Sequence, residues 1–232
     1  MKLSIFLPHE NRSILAFKTI SVYHHFLSNS GIDYEILVGE DFSEPSEVRA
    51  LESISTIKLC KVKERHGGTN GVSAHNTMRE HATGDVFIIT CAENVPINDH
   101  FITQFKQIKN GVYIVGSAFN LGIQATLKIL ETPAEQIGKI NWHATEGGEW
   151  FQHSVHNNRC LNFCTMITKS DWDKIGGFNW TFVNSHGFDD DDFLRRIRKA
   201  GIEVRPVDIM ATVHMNHYGG PYRNGLDNQR RW

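Results

Sequence analysis

Short apolar runs alternate with amphipathic ones from the first residues of the chain. Leu3 to Leu7 reads as a strand broken by Pro8. Ser13 stands where an N-cap belongs, ahead of Ile14, Phe17, Ile20, Phe26 and Leu27 at helical spacing, and Gly31 closes that unit. Tyr34 to Val38 is a second strand, with Glu40 and Asp41 at its carboxyl end. Residues 46–54 read as a helix, Ile57 to Val62 as a third strand ending before HGGTNG, and Val72 to Ala82 as a helix closed by Gly84. Val86 to Thr90 is apolar apart from its last residue, as expected of a strand buried on both faces. This is the rhythm of a parallel sheet wound with helices. In such sheets ligands bind beyond the carboxyl ends of the strands. Residues 8–11, Glu40, Asp41 and residues 91–94 all fall there.

The second half is less regular. Ile97 to Ile108 predicts a helix and Val112 to Val115 a strand. Residues 120–158 show no clear period. Their NWHATEGGEWFQHSVHNNR, with two tryptophans and three histidines, fits a binding loop and a surface crossover equally well. Leu161 to Thr168 predicts a strand, and Ser170 the cap of a short helix ending at Gly176 and Gly177. Glu203 to Met215 is extended, interrupted at Pro206, and the tail GGPYRNGLDNQRRW reads as a lid or a frayed end.

Between them lies GFDDDDFLRRIRKAG, Gly187 to Gly201. Phe193, Leu194, Ile197 and Ala200 form one helical face, and Arg195, Arg196, Arg198 and Lys199 the other. The acids sit at the positive end of the helix dipole. Capping explains one or two of them. Four in a row repel and raise one another's pKa, so the cluster points to a counter-charge, a metal or a proton to move.

Composition narrows the field only a little. The chain has 232 residues, 40% hydrophobic and 22% charged, enough for one large domain or two small ones. A net charge of −2 gives no reason to expect nucleic acid or an anionic membrane as partner. Cys60, Cys91, Cys160 and Cys164 lack zinc-ribbon spacing and read as free buried thiols in a reducing compartment. The apolar start is too short for a signal peptide, and no run reaches the roughly 20 residues of a membrane helix, so a soluble cytoplasmic protein is expected.

Six separated pieces, in order, carry a resemblance. They are FLPHENR, LVGEDFS, GVSAHN with ATGD, ITCAEN, TKSDWDKIGGFN and GFDDDDFLRR. They are similar to the strand–P-x-x-N-R, D-D-x-S, s-x-a-R-N with a-x-G-D, D-x-D, G-G-F and E-D-x-D pieces of the family 2 glycosyltransferases. The match covers roughly residues 1–100 and 160–217. Two pieces depart from the pattern: D-x-D becomes Cys91-Ala92-Glu93, and the arginine of a-R-N becomes His75.

The resemblance implies an α/β, GT-A-like fold. Its central sheet is mostly parallel and wound with helices, with a smaller antiparallel acceptor-side part. Residues 1–232 would form one domain, with a nucleotide-binding half over about 1–95 and an acceptor half over about 96–232. It implies an inverting transfer of sugar from a nucleoside diphosphate sugar to a hydroxyl of a glycan or other acceptor. Mn²⁺ or Mg²⁺ would stabilise the departing diphosphate. Glu93 and His214 are the expected ligands, with His217 in reserve because two histidines three apart on a strand face opposite sides. Asp190 is the expected general base, Asp189 the binder of an acceptor hydroxyl, and Asp192 the holder of the helix start or of an arginine; Asp189 or Asp191 are the alternative bases. Pro8, Glu10, Glu40, Asp41, His75 and Asn76 would line the nucleotide. Trp150, His153, Gly177, Trp180 and Asp191 are candidates on the sugar side, with Gly176–Gly177 equally readable as a helix C-cap. A catalytically inactive sugar-nucleotide or glycan-binding relative is the alternative. A sugar nucleotidylyltransferase would need a glycine-rich phosphate loop, and LPHENRS has no glycine.

Overall fold

The computed structural model describes residues 1–67, 71–184 and 187–217. The tail from residue 219 and the middle of HGGTNG, which the sequence offered as a lid or frayed end and as a loop, lie outside the described residues. The elements are β1 (Lys2–His9), α1 (Ser13–Ser28), β2 (Asp33–Glu40), α2 (Pro45–Glu52), β3 (Lys58–Lys61), α3 (Val72–His81), β4 (Val86–Thr90) and β5 (Asn94–Pro96). Then come α4 (His100–Gln107), β6 (Val112–Asn120), α5 (Ile123–Glu131), two 3-10 turns, β7 (Glu149–Gln152), β8 (Cys164–Thr168) and α6 (Lys169–Ile175). A third 3-10 turn (Trp180–Phe182), α7 (Asp189–Lys199) and β9 (Glu203–His214) complete the order.

Among the described residues, nine strands form one sheet in the order β3-β2-β1-β4-β8-β6-β9-β5, with β7 on β6. It is parallel from β3 to β4. Beyond β4 the pairings turn antiparallel except for β6 with β9. The antiparallel part is therefore more extensive than expected. The period of two in the strands sorts side chains to opposite faces. Leu3, Ile5 and Leu7 of β1 and Ile88 of β4 pack with Ile20, Tyr23 and Phe101 on the α1 and α4 side. Phe6, Phe87 and Ile89 pack with Met78, Trp172, Phe193 and Ile197 on the α3, α6 and α7 side. Each such side chain contributes about 1.5–3 kcal/mol on burial.

Several local expectations change. Ser13 opens α1 as its first helical residue and caps nothing; its N–H donates to Glu47 Oε2 at 2.7 Å. α6 is capped by Thr168, whose hydroxyl accepts from the Asp171 N–H, so Ser170 lies inside the helix. Residues 120–158 contain α5, which the sequence left unread. Pro206 does not interrupt β9: it pairs with Val115 on one side, while β5 pairs only with residues 212–214 on the other. Proline tolerates such an edge-like position. Instead β9 breaks register one step later, between Val207 and Ala211 opposite Gly116 and Ser117. The four cysteines are free thiols.

Candidate active site at the carboxyl ends of the strands

The ends of β1, β2 and β4, the start of α3 and α7 and the segment after β9 surround one cleft of about 350 Å³. Its walls include Pro8, Glu10, Arg12, Asp41, His75, Cys91, Glu93, Asn162, Asp189, Asp190 and His217. The parallel strands β1, β2 and β4 point their carboxyl ends here, which is why residues so far apart in sequence meet. Among the described residues, the non-glycine positions with positive φ are Asn11, Phe42 and Phe188. Each is preceded in sequence by a residue that lines this cleft. For the two phenylalanines such a backbone costs about 1–2 kcal/mol, a strain the surrounding packing must hold.

Glu93 is buried in the turn between β4 and β5, and three cations or potential cations approach its Oε1. Arg12 donates to it through Nη1 at 2.7 Å. His217 Nε2 lies 3.2 Å away and His214 Nε2 3.6 Å. Burial alone would push the Glu93 carboxyl up, but the two imidazoles and the Arg12 guanidinium hold it well below the usual range. One ligand atom from each of Glu93, His214 and His217 lies within 4.8 Å of the others, a spacing that could hold a metal ion. One carboxylate and two imidazoles suit Mn²⁺. The His214 ring is wedged between Phe151 and Phe163, and its Nδ1 lies 3.3 Å from Asn120 Oδ1. An Nδ1–H donated there leaves Nε2 as the nitrogen presented to a cation. The expectation that His214 and His217 face apart is corrected. Alternation ends with β9 at His214, and the chain then leaves the strand, bringing the His217 ring round to the same carboxylate.

The four acids of α7 divide by contact. Asp189 and Asp190 line the cleft. Burial and the neighbouring carboxylates push both of their pKa values up. Asp190 Oδ1 accepts from Asn162 Nδ2 at 2.7 Å. Asp192 is buried and bonded to Arg195 and Arg196 at 2.6 and 2.7 Å, while Arg196 also donates to the Ile175 and Gly177 carbonyls. Asp191 is half-buried and is not among the lining residues.

On the nucleotide side, Asp41 accepts from the Ser73 hydroxyl at 2.7 Å, and burial pushes its carboxyl up. Burial, with Asp41 next, also raises Glu10. Glu40 is engaged elsewhere: it is buried and accepts the Ser43 N–H at 2.5 Å, holding the turn after β2. His75 is stacked on Phe178 at 4.6 Å, and burial lowers its pKa to about 3, so it is a neutral imidazole. Asn76 spends its amide on the Phe178 main chain, at 2.9 and 3.0 Å, and does not line the cleft. α3 comes close over β2 because Gly39 has no side chain; a Cβ there would lie 2.8 Å from Ala74 Cβ.

The sugar-side candidates lie outside the cleft walls. Trp150 on β7 is packed edge-on or tilted by Phe119, His143 and His153, and His156 stacks on it at 5.6 Å and 14°. His153 lies 3.7 Å from Asp208 at the register break in β9. Trp180 is exposed beside His66. Gly176 and Gly177 both have positive φ and close α6 through N–H groups donated to Trp172 O. A Cβ on Gly177 would meet Asn76 and Trp172 at 2.9 Å. That arrangement is a helix C-cap, one of the two readings the sequence left open. Arg12 and Asn162 were missed as site residues. Arg12 was signalled only by the FLPHENR piece, and Asn162 by nothing local.

The chain is similar to known proteins in two ways. A family model described as the N-terminal domain of galactosyltransferase matches residues 147–218, which take in Trp150, the acid cluster and both His214 and His217. No curated protein sequence matches the chain. Among solved structures, the mannosyltransferase PcManGT from Pyrobaculum calidifontis, in complex with GDP-Man and Mn²⁺, superposes with a TM-score of 0.61 at 18% identity, covering 95% of this chain and 58% of that one. The catalytic domain of Drosophila beta1,4-galactosyltransferase 7 with xylobiose gives 0.63 at 14% identity, covering 100% of this chain and 79% of that one. S. aureus TarS 1–349 with UDP-GlcNAc gives 0.66 at 12% identity, covering 95% and 60%. The chain thus spans about three-fifths of the first and third of these. Its mixed, helix-covered sheet has the fold of the GT-A glycosyltransferases.

Proposed function

We propose that this domain is an inverting, metal-dependent glycosyltransferase, moving a sugar from a nucleoside diphosphate sugar to a hydroxyl of a glycan or similar acceptor. One observation carries the reading: a carboxylate–imidazole cluster fit for a divalent cation and a pair of half-buried carboxylates with raised pKa values open onto the same cleft. The mannosyltransferase bound to GDP-Man and Mn²⁺ and a mutant of the Drosophila enzyme bound to manganese, UDP-Gal and xylobiose support it by likeness of fold.

Glu93, His214 and His217 would hold Mn²⁺, which supplies positive charge to the diphosphate as it departs. Arg12 stands at the same carboxylate and adds a second positive group on that side. Pro8, Glu10, Asp41 and the neutral His75 form the wall for base and ribose. Asp190 takes the proton from the acceptor hydroxyl, its pKa lifted towards working pH as a general base needs. Asp189 lies beside it to bind an acceptor hydroxyl. A single base with direct displacement inverts the anomeric carbon. No helix among the described residues is long and apolar enough to cross a membrane.

A second reading, an inactive sugar-nucleotide-binding relative, rests on Cys91. Cys91 stands where the family pattern has its first aspartate, so that carboxylate is missing from this chain. A panel of nucleotide sugars with Mn²⁺ separates the two. Release of nucleoside diphosphate that Asp190→Asn abolishes supports the enzyme; release untouched by Asp190→Asn removes Asp190 as base.

A further inference from the structure

Asn162 is fixed from behind. It lies two residues before β8 and is buried. Tyr113 of β6, fully buried, donates its hydroxyl to Asn162 Oδ1 at 2.5 Å, and Thr165 of β8 donates to the same oxygen at 3.1 Å. An asparagine amide has one accepting end and one donating end. The two hydroxyls, which can give or accept, both donate to the oxygen end, and the ionised Asp190 carboxylate, which only accepts, faces the other. The NH₂ end is thereby committed to Asp190 Oδ1 at 2.7 Å.

We infer that Tyr113, Thr165 and Asn162 form a positioning relay that holds Asp190 in one orientation and favours its ionised form. The inference deepens the general-base reading above and rests on it only for its kinetic consequence. Asn162 and Tyr113 are positioning residues, since neither is assigned a contact with substrate.

The relay works against its surroundings. Asp189 and Asp191 on the same helix face Asp190 with like charge, and Cys91 at the end of β4 and the Tyr113 phenol lie near it as further acids. Arg159, from the segment before β8, is the one charged group among these that favours the anion. Burial opposes ionisation most of all. A hydrogen bond donated to the carboxylate offsets part of that cost. The carboxyl stays above its ordinary value through burial, while the donated amide hydrogen favours the anion that takes the proton. An amide turned the other way would present its oxygen to the carboxylate and disfavour the anion.

The test uses the whole chain. The Asp190 carboxyl is followed by ¹³C NMR across a pH titration in the wild type, Asn162→Ala and Tyr113→Phe. The relay requires the Asp190 midpoint to rise in both variants, more in Asn162→Ala, by about half a pH unit or more. Tyr113→Phe keeps the ring and leaves Thr165 on the Asn162 oxygen, so it tests the relay in a variant that retains its packing. With a nucleotide-sugar assay, the acidic limb of kcat should move up in the same order while KM for the donor stays unchanged. An Asp190 midpoint unmoved in both variants overturns the relay. A moved midpoint in an enzyme indifferent to Asp190→Asn upholds the relay and overturns the general-base reading instead.

Discussion

Arg12 places its Nη1 2.7 Å from Glu93 Oε1, the same oxygen that His214 and His217 face. The guanidinium therefore competes with a cation for one carboxylate. Arg12→Met should raise affinity for Mn²⁺ alone by about tenfold, since one neutralising partner worth about 1.4 kcal/mol is removed. Isothermal titration with Mn²⁺ in the absence of nucleotide measures it. Weaker Mn²⁺ binding in the variant would show that Arg12 supports the metal site instead.

Glu93→Gln keeps an oxygen for Arg12 but removes the charge a divalent cation needs. Mn²⁺ affinity should fall by about a hundredfold or more, since altering even the partners of a metal's ligands costs 10–100-fold. Cation-dependent binding of nucleoside diphosphate should fall with it. Retained affinity would take Glu93 out of the metal shell.

The acids of α7 should separate by stability. Asp192→Ala leaves Arg196 without its carboxylate in a mostly buried position and should cost about 3 kcal/mol in a urea melt. Asp189→Asn should do the reverse. A carboxyl whose folded pKa is raised loses stability as pH climbs from the ordinary carboxylate value through the raised one. Removing that charge should lift the melting temperature by a few degrees at pH 8 and by less at pH 5.

His75 gives a pH dependence of opposite sign. Its pKa falls from 6.5 to about 3 on folding, so in that window the unfolded chain binds a proton that the folded chain refuses. Its contribution is complete above pH 6.5 and is lost as pH falls through the window, by up to about 1.4 kcal/mol per pH unit. His75→Phe, which keeps a ring against Phe178, should flatten the slope measured by denaturant melts at pH 7 and pH 5.

How much of this was legible depended on how local each decision was. β1 to β4 and the helices between them announce themselves because each apolar run and its breaker are neighbours in sequence. The carboxyl-end positions Pro8, Asp41 and Glu93 followed from that. α5 was hidden because it starts after a glycine with no capping side chain. Pro206 looked like a break because its unpaired flank is visible only in the assembled sheet. Glu40 and Asp41 both read as nucleotide contacts, with Asp41 the safer of the two, and only Asp41 lines the cleft, while Glu40 holds the following turn. His217 was discounted by strand alternation that stops three residues before it. Asn162 carried no local sign at all, because its importance comes from Tyr113, 49 positions away, and Asp190, 28 away.

The shortest strand has the longest reach. β5 is three residues, and its register sets Asn94 opposite His214. Glu93 immediately precedes it, and the Met215 N–H donates to the Glu93 carbonyl at 2.9 Å, extending the ladder by one rung. This edge works as a caliper between the middle of the chain and its end. A slip of one residue would turn alternate side chains to the other face and part the carboxylate from both imidazoles. Small insertions between Cys91 and Pro96 should thus abolish cation binding in a protein that otherwise folds.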